Sequence, residues 1–557
     1  MKKSFERINA VLMSAVLCFF CTSFAVQAEE WSSEKTYTYG ELTYTITEEN
    51  TICITGCSEE AVSIQVPAEI GGIPVKSLGE CAFYYCTSLT AVSIPDTVTS
   101  IGEDAFCGCE ALVEVFIPDG VESIGAGAFS YCDVLETVTI PDSVTSIGLG
   151  AFCCCPVLSS ITIPDGVTKI ERNTFRECSS MTAVTLPDTI VSIGDNAFQN
   201  CYELASIDIP DGVAEIGAEA FSACTALTAV TIPDSARNIG DMAFYYCTSL
   251  TEVTVPDSVV SIGTDAFDSC RTLTDIHVDA ENQYYSSENG VLFDKNKPKL
   301  ILYPGGKPET EYVIPDAVRV IADHAFQGSD TLTSVVIPDG VSSIGEKAFF
   351  HCQGFDVIVL PDSVTHIGAM AFDYCTKLAS IRIPDNVKSV GKNAFSYCYA
   401  LTSIRFPEGV SVLDDFVLEQ CYDLTEVTIE NPYCTISDSE STIYKDAVIY
   451  GYRNSTAQAY AEKYSREFVS LGDMPEIMTG DVNGNGLIDI SDATAALTIY
   501  ARTAASLSVD DYTESQLHAA DVNSDDIITI SDATAILTYY ARDAAGLNPG
   551  WDDIVSG

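Results

Sequence analysis

Basic residues are scarce in this chain: 27 lysines and arginines stand against 80 acidic residues, a formal net charge of −53. A field of that sign repels nucleic acid and anionic membranes and concentrates cations. Acidity alone names no partner. Histidine is rarer still, and the five present (His277, His324, His351, His366, His518) have no metal-ligand spacing. No catalytic constellation stands out, and among so many acids no carboxylate pair is marked as the two arms of a glycosidase. No Pro/Gly/Ser tract is long enough for disorder, and 47% hydrophobic residues can build a sizeable core. Long apolar runs are missing too, apart from residues 8–26. That run follows Lys2, Lys3 and Arg7 and ends in Val26-Gln27-Ala28. It predicts a cleaved secretory leader over residues 1–28, rather than a retained anchor, with the mature chain starting at Glu29.

Twenty-two cysteines in an exported chain would ordinarily mean disulfides. Their spacing argues otherwise. Cys86, Cys109, Cys132, Cys155, Cys178, Cys201, Cys224, Cys247 and Cys270 lie 23 residues apart, and Cys352, Cys375, Cys398 and Cys421 resume the interval. One slot per repeat is filled by a small, buried, polarizable side chain, so most of these thiols are expected to be free. Cys153-Cys154-Cys155 has the look of a thiol site, but Cys155 is the ladder residue.

The whole sequence keeps that period: Leu89, Val92, Ile94-Pro95-Asp96, Val98, Ile101-Gly102, Ala105-Phe106 and Cys109 each return after 23 residues. With Ser329 standing in once for cysteine, there are fourteen units. The Leu-x-x-Val-x-Ile stretch alternates as a half-buried strand, and one unit cannot bury that face alone. Stacked parallel strands can, and the stack would span roughly 70 Å. Proline ends each strand, and the following aspartate is expected to bond the turn amides. Tyrosines preceding the ladder cysteine (Tyr85, Tyr131, Tyr246, Tyr374, Tyr397) form a row that reads either as packing or as a surface on which a sugar could stack.

These repeats resemble the leucine-rich repeats of the BspA-like family of bacterial surface and secreted proteins. The resemblance implies an α/β repeat solenoid with parallel strands over 81–429, a cap and first coil over 29–80 (Val66-Pro67 to Pro74-Val75) and a closing cap over 430–472. It also implies a hairpin insertion near 280–310, between Asn282 and Pro304.

After an acidic linker, 473–479, the pattern changes. Asp481, Asn483, Asn485, Asp489 and Asp492 place side-chain oxygens at positions 1, 3, 5, 9 and 12 of a loop, with Gly486 at position 6 and the Leu487 carbonyl at 7, the order a calcium shell requires. The pattern returns 40 residues later as Asp521, Asn523, Asp525, Thr529 and Asp532, with the Ile527 carbonyl at 7 and Asp526 in place of glycine. Near-identical helices follow both loops. Residues 480–548 therefore resemble the dockerin modules of cellulosomes, small and all-α, leaving 549–557 as a tail. That resemblance implies two calcium ions, a cohesin module on a scaffold protein as partner, and contacts through Ile490, Ser491 and Arg502 or their counterparts Ile530, Ser531 and Arg542.

The combined expectation is a secreted, non-catalytic binding or adhesion protein, held at the cell surface through a cellulosome, with a protein or glycan ligand on its solenoid. The second reading is a polysaccharide-active enzyme with its active site in the solenoid.

Overall fold

The computed structural model describes residues 35–473, 479–483, 488–509, 512, 514–547 and 549–555. The leader, most of the linker, and Asn485, Gly486 and Leu487 lie outside the described residues.

From residue 63 to 470 the chain winds as a solenoid with one coil per 23 residues. Most coils lay down two short strands, which stack in parallel on their counterparts one period away. Thr137, Val138 and Thr139 pair with Glu114, Val115 and Phe116, while Ser123 and Ile124 pair with Ser146 and Ile147. Such alignment follows from the repeat, because a slip by one residue would turn every Val and Ile of a strand outward.

The rest of the coil is turn rather than helix, which corrects the α/β expectation. Two positions per coil adopt left-handed backbone, one running from Cys81 (φ +56°) to Phe416 (φ +60°) and one from Tyr85 (φ +54°) to Gln420 (φ +58°). Left-handed residues interrupt a right-handed helix. Their amides are satisfied between coils instead: the N–H groups of Cys81, Phe83 and Tyr85 donate to the carbonyls of Glu103, Ala105 and Cys107 at 2.9, 2.7 and 2.8 Å. The Pro-Asp turn is also closed differently from expectation. The Pro95 carbonyl accepts from Val98 N–H at 3.0 Å, since a turn of this length already aligns those two backbone groups. Asp362 and Asp385 pair instead with Arg382 and Arg405, at 2.8 and 2.7 Å.

Inside, Phe83, Phe106, Phe129 and their successors to Phe267 form a stack of near-parallel rings, centroids 4.7–5.7 Å apart. Gly125 shows why the Ile-Gly pair recurs: a Cβ there would lie 2.5 Å from the Gly102 carbonyl carbon of the coil before. Both ends of the stack are covered, as exposed sheet edges require. At the start, Tyr37–Tyr39, Leu42–Ile46 and Ile52–Cys57 form an antiparallel meander whose last strand pairs in parallel with Ile73–Leu78. At the end, Phe468–Ser470 joins Val448–Gly451, and the helix Thr456–Lys463 buries Ala457, Tyr460 and Ala461 over the core.

Beyond the solenoid, the helices Ile490–Ala504 and Ile530–Ala544 pack around a small core that includes Val482, Ala496, Ile499 and Ile536. Trp551 stacks on Tyr539 with centroids 4.5 Å apart. A Cβ on Gly480 would meet its ring at 2.3 Å, so the two ends of this segment touch.

Candidate functional site

The two loop–helix copies share their local logic. Asp489 and Thr529 cap the helices, each accepting from the amide two residues on, and Asp492 and Asp532 reach back to the cap amides at 2.8 and 2.9 Å. Both reciprocal carboxylates are fully buried. Asp492 spends its other oxygen on Asn483 N–H at 2.9 Å. Asp532 does not: its Oδ1 has no hydrogen-bond partner. A buried carboxylate oxygen without a donor is costly unless a cation satisfies it.

In the second loop, Asp521, Asn523 and Asp525 turn oxygens onto the loop's own amides. Asp525 N–H donates to Asp521 Oδ1 at 3.1 Å and to Asn523 Oδ1 at 3.0 Å, and Ile527 N–H donates to Asp525 Oδ1 at 3.0 Å. Asp526, in the glycine position, takes φ +64°. Among the described residues no three acidic, histidine or cysteine side chains converge on one point. The donor set nonetheless fits a hard cation: it is all oxygen, and it leaves one buried carboxylate oxygen unpaired.

The residues singled out for a partner lie outward. Ile490 and Ile530 are 62% and 55% exposed, Ser491 and Ser531 are exposed, Arg502 is half-buried and Arg542 is exposed. The sequence reading missed their apolar company. Leu497 and Leu507, 40% and 61% exposed, line one shallow surface with Arg502, and Leu537 and Leu547, 37% and 67% exposed, hold the same places in the second copy. Their identity across the two copies was the available signal.

A second site lies where the solenoid is interrupted. The strands Tyr285–Glu288 and Val291–Asp294 form a hairpin, and Lys299–Leu302 then rejoins the stack, pairing in parallel with Val320–Ile321. In this coil Leu300 holds the isoleucine slot and Tyr303 holds the phenylalanine slot, its N–H donating to Ala325 at 2.7 Å. Three positions separate them, where five separate Ile321 from Phe326. The corner carrying the left-handed residue is therefore missing, and its neighbours meet across the gap. His324 Nδ1 lies 2.5 Å from Asp265 Oδ1, and the Gln327 amide donates to Asp268 Oδ2 at 2.8 Å. Burial pushes the Asp268 carboxyl up to about 6, partly offset by His324. Burial opposes the imidazolium of His324, but Asp265 and Asp268 outweigh it and raise its pKa. Clefts of about 220 and 230 Å³ open on the two sides of this bridge.

Cys154 of the Cys153–Cys154 pair is not an activated thiol. The two sulfurs lie 3.4 Å apart, and the Cys153 sulfur together with burial holds the Cys154 thiol well above the usual range.

Six copies of the BspA type leucine rich repeat region match residues 76–204, 168–289 and 317–443, more than half of the sequence. The chain belongs to this family. The break between the matched BspA-type segments falls on the interrupted coil. Among solved structures, a leucine-rich repeat protein from Bacteroides ovatus is 24% identical, with 75% of this chain and 100% of that one covered and a TM-score of 0.46. A leucine-rich cell surface protein from Faecalibacterium prausnitzii is 29% identical over 74% and 97% of the two chains, TM-score 0.40. The pneumococcal vaccine antigen PcpA is 19% identical over 78% and 98%, TM-score 0.42. No curated protein matches. The BspA-type repeat accounts for the solenoid, and the paired loops fall beyond its last matched residue.

Proposed function

We propose that this chain is an exported, non-catalytic binding protein, presenting its BspA-type solenoid to a ligand and docking through residues 480–548 onto a cohesin of a scaffold protein at the cell surface. The carrying observation is the duplicated loop–helix, with exposed Ile and Ser at the start of each helix and exposed leucines beside an arginine towards its end. Leu497 and Leu507 beside Arg502 form an exposed apolar surface of the kind that marks an interaction site, and the equivalent residues of the second copy offer a partner a second orientation. Calcium held by Asp481, Asn483, Asn485, Asp489 and Asp492, with the Leu487 carbonyl, and by Asp521, Asn523, Asp525, Thr529 and Asp532, with the Ile527 carbonyl, would supply the charge that organises both loops. Among the described residues no helix is long and apolar enough to cross a membrane.

The test is cohesin binding by the full chain, measured with calcium and in excess chelator, for Ser491→Arg, Ser531→Arg and the double variant. Either single variant should bind nearly as well as the parent. The double variant should lose far more than the sum of the single effects, the non-additivity of redundant faces. Undiminished affinity in chelator, or no cohesin binding at all, removes the docking reading. Hydrolysis of plant polysaccharides by the purified chain would replace the binding reading with the enzyme.

A further inference from the structure

The slot before the ladder cysteine runs coil by coil as Tyr246, Ser269, Gly328, His351, Tyr374 and Tyr397, all in left-handed backbone. Left-handed backbone at each position sends these side chains the same way, so rings stack where rings occur. Tyr374 and Tyr397 lie 4.2 Å apart at an interplanar angle of 9°, and His351 lies 6.1 Å from Tyr374. At the interrupted coil the row opens. The two positions facing the gap hold only Ser269 and Gly328, the interrupted coil holds Gly305 in the same slot, and its shortened corner adds only Leu302 to the lining. What remains is the 230 Å³ cleft, with Tyr246 at one end, His351 at the other, Phe267, Asp268 and Gln327 in its floor, and Arg271 at its side.

Three properties of this cleft bear on its ligand. Its ends are aromatic, which suits the flat C–H faces of a sugar ring. Its floor offers planar hydrogen-bonding groups, and Gln327 Oε1 is buried without a partner although its amide is anchored on Asp268 and Ser269. Its formal charge is low, with Asp268 and Asp330 against Arg271, whereas the chain as a whole carries −53. An anion would have to enter against that field, and a basic ligand would find stronger attraction almost anywhere else on the surface. The volume lies below the ~300–1,000 Å³ of ordinary ligand pockets, so the cleft holds one ring and leaves the rest of a chain on the surface.

We propose that the groove at the interrupted coil binds a neutral glycan chain, with one sugar between Tyr246 and His351 over Gln327 and the following sugars along Tyr374 and Tyr397. This deepens the ligand-binding reading of the solenoid and is independent of docking, so it is tested without cohesin.

The experiment is calorimetry of the full chain against neutral cello-, xylo-, manno- and galacto-oligosaccharides of four to six sugars, with calcium and again in chelator. At least one series should bind, equally in both conditions. Tyr246→Asn and His351→Asn should each weaken that binding roughly tenfold, near the upper range of an aromatic contact. Asparagine is the resident of the same slot at Asn200, with φ +62°, so the coil should still form, and an unchanged melting curve checks this. Gln327→Ser, a residue native to the equivalent position at Ser222, should weaken binding with the melt preserved. Failure of every neutral series to bind, binding indifferent to both aromatic substitutions, or a peptide that occupies the cleft where no glycan does would each overturn the proposal.

Discussion

The Cys224 thiol donates to the Phe198 carbonyl of the preceding coil at 3.2 Å. The relation repeats from Cys109 on Phe83, at 3.1 Å, to Cys421 on Phe395, at 3.1 Å. Cysteine is thus kept for reach as well as size. The one serine in the ladder, Ser329, follows the interrupted coil; it is fully buried and its hydroxyl has no partner.

Cys224→Ser should therefore destabilise the solenoid by about 1–2 kcal/mol, the cost of a buried donor left unpaired. Urea unfolding followed by circular dichroism measures it, and a variant as stable as the parent would show that the thiol bond contributes nothing.

The thirteen ladder cysteines are free thiols and all are buried. Burial pushes Cys201 up to about 12, so its reactive thiolate is almost absent at neutral pH. Alkylation of the folded chain should begin at exposed Cys81 and spare the ladder, and anaerobic denaturation should release nearly all the thiols. Disulfides mapped between successive coils would contradict this.

Close approach of the coils at the Ile-Gly step predicts a cost of about 1–3 kcal/mol for Gly125→Ala, the range of an overpacked site. The neighbour is backbone and cannot swing away. Glu171 holds the same slot in another coil, so the stack yields somewhat and the loss should stay within that range. Gly328→Ala meets no atom within 4 Å and should cost only the left-handed backbone, about 1 kcal/mol. Thermal melts that rank the two the other way would refute the argument.

Burial pushes the Asp373 carboxyl up to about 7, with Glu419 adding to the shift and Tyr374 N–H and Lys347 opposing it. Its Oδ1 has no partner. The folded value lies above the ~3.9 of an unfolded aspartate, so its contribution is fully present below about pH 4 and is lost as pH rises through about 7. The melting temperature should fall between pH 5 and 8 by an amount that Asp373→Asn removes. An unchanged slope in that variant would place the titration elsewhere.

Chelation should lower the helical signal of the C-terminal segment, because a core this small relies on bound metal for stability. Asp532→Ala should remove one of two bound calcium ions in a titration of the full chain. Two ions retained by that variant would assign the second loop a different ligand.

Much of the fold was legible in the sequence because a repeat states its own register: a 23-residue period with Val, Ile, Phe and Cys in fixed places leaves one way to bury every apolar face. The near-identical helices that follow the two loops were equally legible, since the sequence repeats them 40 residues apart. The turn closures, the left-handed corners and the purpose of the cysteine were not, because each depends on where the neighbouring coil's backbone lies.

The sequence by itself determined the solenoid, its parallel strands, its interruption near residue 280 and the duplicated loop–helix. Only the tertiary structure decided that the interruption shortens a corner by two residues and joins Asp265 to His324 and Asp268 to Gln327, pairs 59 positions apart. A break in periodicity tells the reader that a coil is irregular. Which side chains face each other across it depends on the three-dimensional closure of the coils on either side.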